Sequence, residues 1–224
     1  MKTPLMQRLI AWASRIGIRE EDDEQARLHK SLLVLCSIPF ILTGAAWGVT
    51  YILFGEERAG LIPLCYSIFS LASLAYFKVS RRFSVFRFSQ LLLILLLPFF
   101  LELALGGFVN GSSVILWSLI SPLGAMLFYD RVKAPRWLLA YVILVLISFA
   151  VQPWLQADNR FSRWQVNLFF TINLISVGAI IFMMVYFFVG RKDYFQARSE
   201  NLLLNILPKE RSEERRVGKE CRSR

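Results

Sequence analysis

The chain has 224 residues, 56% of them hydrophobic and 14% aromatic, and a formal net charge of +10. A mean hydropathy of +0.50, with the apolar residues gathered in long blocks, excludes an ordinary soluble domain and indicates an integral membrane protein. The basic residues cluster between those blocks, so membrane orientation and anionic-lipid contact explain the charge, and no nucleic-acid partner is implied.

Residues 1–30 read as a cytoplasmic segment, not a signal peptide, because no apolar core precedes a cleavage site. Leu5, Leu9, Trp12 and Ile16 share one helical face, edged by Arg8, Arg15 and Arg19. That face suits either a helix lying in the headgroup region or one packed on another cytoplasmic segment. The acidic run Glu20–Glu24 reads as a solvated connector, and His29 as an interfacial histidine or a pH sensor.

Residues 31–190 then hold six blocks, each near the roughly 20 residues needed to cross about 30 Å of hydrocarbon. They are expected at Ser31–Phe54, Ala59–Phe77, Ser89–Leu105, Ser113–Tyr129, Trp137–Trp154 and Val166–Val189. Lipid offers no partner to exposed backbone groups, so every span is expected to be helical, and the fold all-α and polytopic. Lys78, Arg81, Arg82 and Arg87 fill the second loop, and Arg131, Lys133 and Arg136 the fourth. Only Arg58, Arg160 and Arg163 stand on the other side, which predicts cytoplasmic termini in a plasma (inner) membrane. Asn110-Gly111-Ser112 is a turn signal before it is a glycosylation site. Cys36 and Cys65 have no metal-like spacing and read as small packing residues.

No motif for catalysis, cofactor binding or metal binding is present in the spans. Glu102 is the one carboxylate well inside an apolar block; it is expected either to contact a ligand or sense protons, or to snorkel to the interface near Arg163. Gln90, Asn167 and Asn173 are candidate interhelical hydrogen-bonders, and Glu102 and Asn173 the candidate sensing residues. Gly44 and Gly48 make a GxxxG step for dimerisation or for packing within one bundle. Pro39, Pro63, Pro98 and Pro122 place kinks in four successive spans, and kinks can open a cavity.

The stretch 191–210 leaves the last span as a linker helix. Phe195, Ser199, Leu202 and Ile206 form a coiled-coil-like seam of about two heptads, too short to be stable alone, and Pro208 ends it. The segment SENLLLNILPKE, with Glu200, Leu202, Leu203, Asn205, Ile206, Leu207 and Pro208, resembles the junction that precedes the catalytic domain in bacterial-type membrane-bound class III adenylate/guanylate cyclases. The apolar-Ala continuation of that pattern is absent after Glu210. The resemblance implies a membrane anchor and sensor for a missing cyclase domain, a homodimer, and Mg or Mn in that domain for making cyclic AMP from ATP. A small or lipophilic ligand is the stimulus that short outer loops would admit. The rival expectations are the sensor region of a histidine kinase or diguanylate cyclase, and a small transporter subunit. Residues 211–224, RSEERRVGKECRSR, read like one frame of a sequencing-library adapter and are expected to be non-native. They carry +3 of the +10, leaving +7 for the rest.

Overall fold

The computed structural model describes residues 4–13, 15–129, 132–155, 160–186 and 189–190. Among these, every regular element is helical: α1 Pro4–Ala13, α2 Glu24–Leu53, α3 Glu57–Ser80 and α4 Phe83–Ala104. A 3-10 segment, Val114–Leu119, runs directly into α5, Ile120–Phe128, and is followed by α6, Ala134–Val151, and α7, Arg163–Tyr186. The chain divides into two units, residues 1–178 and 179–224. The bundle below is the first. In the second, the described residues are the last turns of α7, where Phe182 and Tyr186 stack at 6.3 Å, and residues 189–190. The seam residues Phe195, Ser199, Leu202, Leu203, Asn205, Ile206 and Pro208 lie outside the described residues.

Five helices (α2, α3, α4, α6 and α7) are long and apolar enough to cross a membrane. The fourth expected span differs. Val114–Phe128 is shorter than the rest, and its mix of 3-10 and α geometry gives it a reach of about 25 Å. Pro122 is tolerated because it falls in the first turn of α5, where its missing N–H breaks little. Much of the preceding loop, including Gly106, Gly107, Gly111 and Ser112, is buried.

The first span also begins earlier than expected, at Glu24, and its 30 residues would reach about 45 Å. The reason lies in the acidic run, which is largely exposed as expected but also makes hydrogen bonds that cap and tie the helix start. Asp23 caps α2 by accepting the Ala26 N–H at 2.6 Å. Asp22 accepts from Arg19 N–H and from the Lys30 ammonium, each at 2.6 Å, while Arg27 donates to the Glu20 carbonyl. These contacts fold the α1 end back onto the bundle. Ala13 and Ile16 are buried with Leu33, Phe77, Phe86 and Phe128, so this end packs on protein. Trp12, expected on the same face, is exposed beneath the Lys78 ammonium. Gly17 makes the close approach possible: its φ is +73°, and a Cβ there would lie 2.2 Å from the Phe77 ring. Cys36 and Cys65 are free and face outward, contrary to the packing role expected of them.

The Asp22–Lys30 pair carries a pH prediction. Partial burial raises the Asp22 carboxyl, but the Arg19 N–H and the Lys30 ammonium outweigh it and hold the group below its ordinary value. A carboxyl depressed on folding stabilises fully above its unfolded pKa, about 4, and the contribution disappears as pH falls through the folded value. Protection factors of the amides around residues 15–18, corrected for slower intrinsic exchange at low pH, should therefore fall on acidification below about pH 4 in the wild type. Asp22→Asn should show quick exchange at neutral pH and no such acid step; an unchanged acid step in the variant would refute the assignment.

Candidate functional site

At the end of the bundle opposite α1, the backbone turns at Gly106 and Gly107, with φ of +94° and +93°. The loop re-enters the protein instead of lying on its surface. Buried loop backbone needs partners, and three elements supply them. From α4, the Glu102 carbonyl accepts the Gly107 N–H at 2.9 Å, and its side chain accepts the Ile115 N–H at 3.3 Å. Beyond α6, Gln152 accepts the Phe108 N–H at 3.0 Å and donates to the Gly106 carbonyl. A Cβ on Gly107 would lie 2.0 Å from Gln152 Oε1, so only glycine lets this side chain reach the loop. From α7, Asn173 donates to the Ser112 carbonyl at 3.0 Å, and the Ser112 hydroxyl donates to the Val166 carbonyl at 3.0 Å. The Trp117 indole N–H of the 3-10 segment donates back to Asn173 Oδ1, also at 3.0 Å.

Glu102 is fully buried and does not snorkel. Arg163 is exposed, and the ion pair among the described residues is Lys30–Asp22. One Glu102 oxygen satisfies the start of the 3-10 segment; the other has no hydrogen-bond partner, nor has the Ser148 hydroxyl, which lies beside the carboxyl. Glu102→Gln should therefore be tolerated, since an amide keeps the acceptor for Ile115 and offers Ser148 a donor. Glu102→Leu should destabilise the bundle by about 2 kcal/mol by leaving the Ile115 N–H unpaired. Detergent unfolding curves would check the pair, and equal stability of the two variants would remove the strut role.

Asn173 meets the expectation of an interhelical bonder, and so does Gln90, which accepts the Ser70 hydroxyl of α3 at 2.7 Å. Asn167 does not; it is exposed, and its carbonyl accepts the Thr171 hydroxyl within α7. Gly44 and Gly48 face α3. A Cβ on Gly48 would meet the Gly60 carbonyl at 2.8 Å, so the GxxxG step serves packing within the bundle. His29 stands edge-on to Phe128 at 6.1 Å.

Asn173 and Trp117 also border a pocket of about 80 Å³ between α2, α3 and α4. Its wall is mostly apolar and aromatic, and it includes Gly44, Pro63 and Pro98, so two of the four expected kinks open onto it. The sequence marked neither Gln152 nor Ser148, showed Ser112 only as part of a turn and assigned Trp117 no hydrogen-bonding role. Gln152 beside Pro153 at the end of an apolar block was the one signal that could have found any of them. Among the described residues no group of three His, Cys, Asp or Glu could hold a metal ion.

Fold and site together define an all-α polytopic membrane protein with a polar, hydrogen-bonded loop set into one end. Comparison with protein families, with curated proteins and with solved structures finds no match for the chain.

Proposed function

We propose that this chain is the membrane anchor and sensor region of a class III nucleotide cyclase, which in a longer parent would convert ATP to cyclic AMP. The observation that carries the proposal is the junction-like segment Ser199–Glu210, which follows the last apolar block after a short basic stretch. The hydrogen bonds of Asn173 support it. They tie α7, the last described long helix before that segment, to Ser112 and Trp117, so a change at either partner bears on α7 itself. A stimulus acts through such a device only by binding two arrangements of the bundle unequally. Mg or Mn would belong to the catalytic domain that follows, and the active species would be a homodimer. Recovering the coding sequence beyond residue 210 and assaying cyclic AMP production tests this. A kinase, GGDEF-type or transporter continuation, or a cyclase-like domain without activity, would end the proposal.

The same reading places both termini in the cytoplasm. The buried loop makes a large reporter at residues 107–111 unsuitable, but Val109 and Val132 are 78% and 76% exposed. With the native cysteines replaced, Val109→Cys should react with an impermeant maleimide from outside the cell, and Val132→Cys only after the membrane is opened. The reverse pattern would overturn the orientation.

A further inference from the structure

The pocket is a slot, not a bowl. Phe40, Gly44, Trp47 and Tyr51 line it as a stripe along α2, and Ile94, Leu97, Pro98 and Leu101 as a stripe along α4. The α4 stripe alone, spaced i, i+3, i+4 and i+7, extends about 10 Å. The small volume, about 80 Å³, and the elongated lining suit a slender chain better than fused rings. Among the described residues no charged side chain borders the slot, so an ionised ligand would be desolvated without compensation.

Near Tyr66 the lining meets an incomplete polar cluster. Tyr66 Oη is buried with no hydrogen-bond partner although Ser70 lies close to it, and Gln90 Nε2 is likewise buried and unpaired. Between them, Ser70 gives its proton to Gln90 Oε1. Tyr66 borders the slot and Gln90 does not, but Ser70 adjoins both, and an oxygen placed between them would serve the two unpaired groups. It would accept from the amide N–H and exchange a hydrogen bond with the phenol.

We propose that the slot binds a slender neutral amphiphile, a hydrocarbon chain ending in a hydroxyl or carbonyl, whose oxygen sits at Tyr66 and Gln90. As the stimulus of a sensor this ligand rests on the function proposed above; as a binding site it stands on the slot and the unpaired groups. Trp117 and Asn173 border the same slot, so an occupant touches the two side chains that hold α7 to the loop.

The test uses the full chain in lipid nanodiscs and octanol carrying a diazirine on its alkyl chain. Light expels dinitrogen, and the resulting carbene inserts into a neighbouring C–H or O–H bond. Labelling should be saturable, map to the α2 and α4 stripes, and be displaced by excess 1-octanol. Leu97→Trp, which fills the slot, should abolish saturable labelling. Gln90→Leu should weaken displacement by 1-octanol roughly fivefold while leaving displacement by octane unchanged. If Leu97→Trp fails to fold, the Gln90→Leu comparison decides. Unsaturable labelling spread over the exposed face of α6, or an octanol response untouched by Gln90→Leu, would overturn the proposal. Cyclase output retained by a longer protein whose slot binds nothing would remove the site alone. Saturable binding followed by a non-cyclase domain would remove the effector alone.

Discussion

Gly48→Leu is expected to destabilise the bundle by about 3 kcal/mol or more, a larger loss than other single replacements on α2 should cause. Without lipid-excluding hydrophobic force, helices in a bilayer associate by close packing, and small residues set how near they come. Here the approach is backbone to backbone. A Cβ on Gly48 would stand 2.8 Å from the Gly60 carbonyl, and one on Gly60 would stand 2.6 Å from the Gly48 carbonyl. Leu64, 2.6 Å from the same Gly48 Cβ position, can rotate away, but the Gly60 carbonyl belongs to α3 and cannot. Gly44→Ala should cost less, because what it meets first is the Ser67 hydroxyl at 2.8 Å. That side chain can turn, losing its bond to the Ile41 carbonyl. Unfolding of detergent-solubilised protein by titrated denaturing detergent would rank the two. If Gly48→Leu unfolds like the wild type and instead separates two chains, the glycines face a partner and not α3.

The apolar blocks were legible because lipid imposes one strong rule: a spanning segment must be long, apolar and helical. The fourth block obeyed composition but not length. Its apolar residues count out a span, whereas it is preceded by a loop that enters the bundle, and nothing in a hydropathy pattern records that. Glu102 and Asn173 stood out as polar groups inside apolar blocks. Their partners did not, because Asn173 donates to the Ser112 carbonyl and Glu102 accepts the Ile115 N–H, and every residue has those backbone groups. The acidic run is largely exposed as expected, but its capping and pairing were missed for a related reason. Charge suggests solvent, but Asp23 stands where an N-cap is needed, and Asp22 finds Lys30 eight residues later, two turns into α2.

Leu202→Asp is expected to lower nucleotide cyclisation at least tenfold in a longer parent protein without preventing membrane insertion. Phe195, Leu202 and Ile206 fall at intervals of seven and four with Ser199 in the gap, so on the proposed reading as a helix one face would be apolar. About two heptads bury too little to hold a lone helix, so the face must order against a second copy or against the domain that follows. An aspartate in that contact, once desolvated, costs a few kcal/mol, enough for the expected loss of activity. Insertion should survive, because the apolar segments and the loop held by Glu102, Gln152 and Asn173 all precede residue 191. Ser199→Cys, in a chain freed of its native cysteines, should cross-link two copies through the seam. Cross-linking that persists in Leu202→Asp would mean the pairing tolerates the charge and the damage lies in the coupling to the effector. Wild-type output from Leu202→Asp, together with no cross-link at residue 199, would reduce the segment to a tether, and with it the case for signalling through α7.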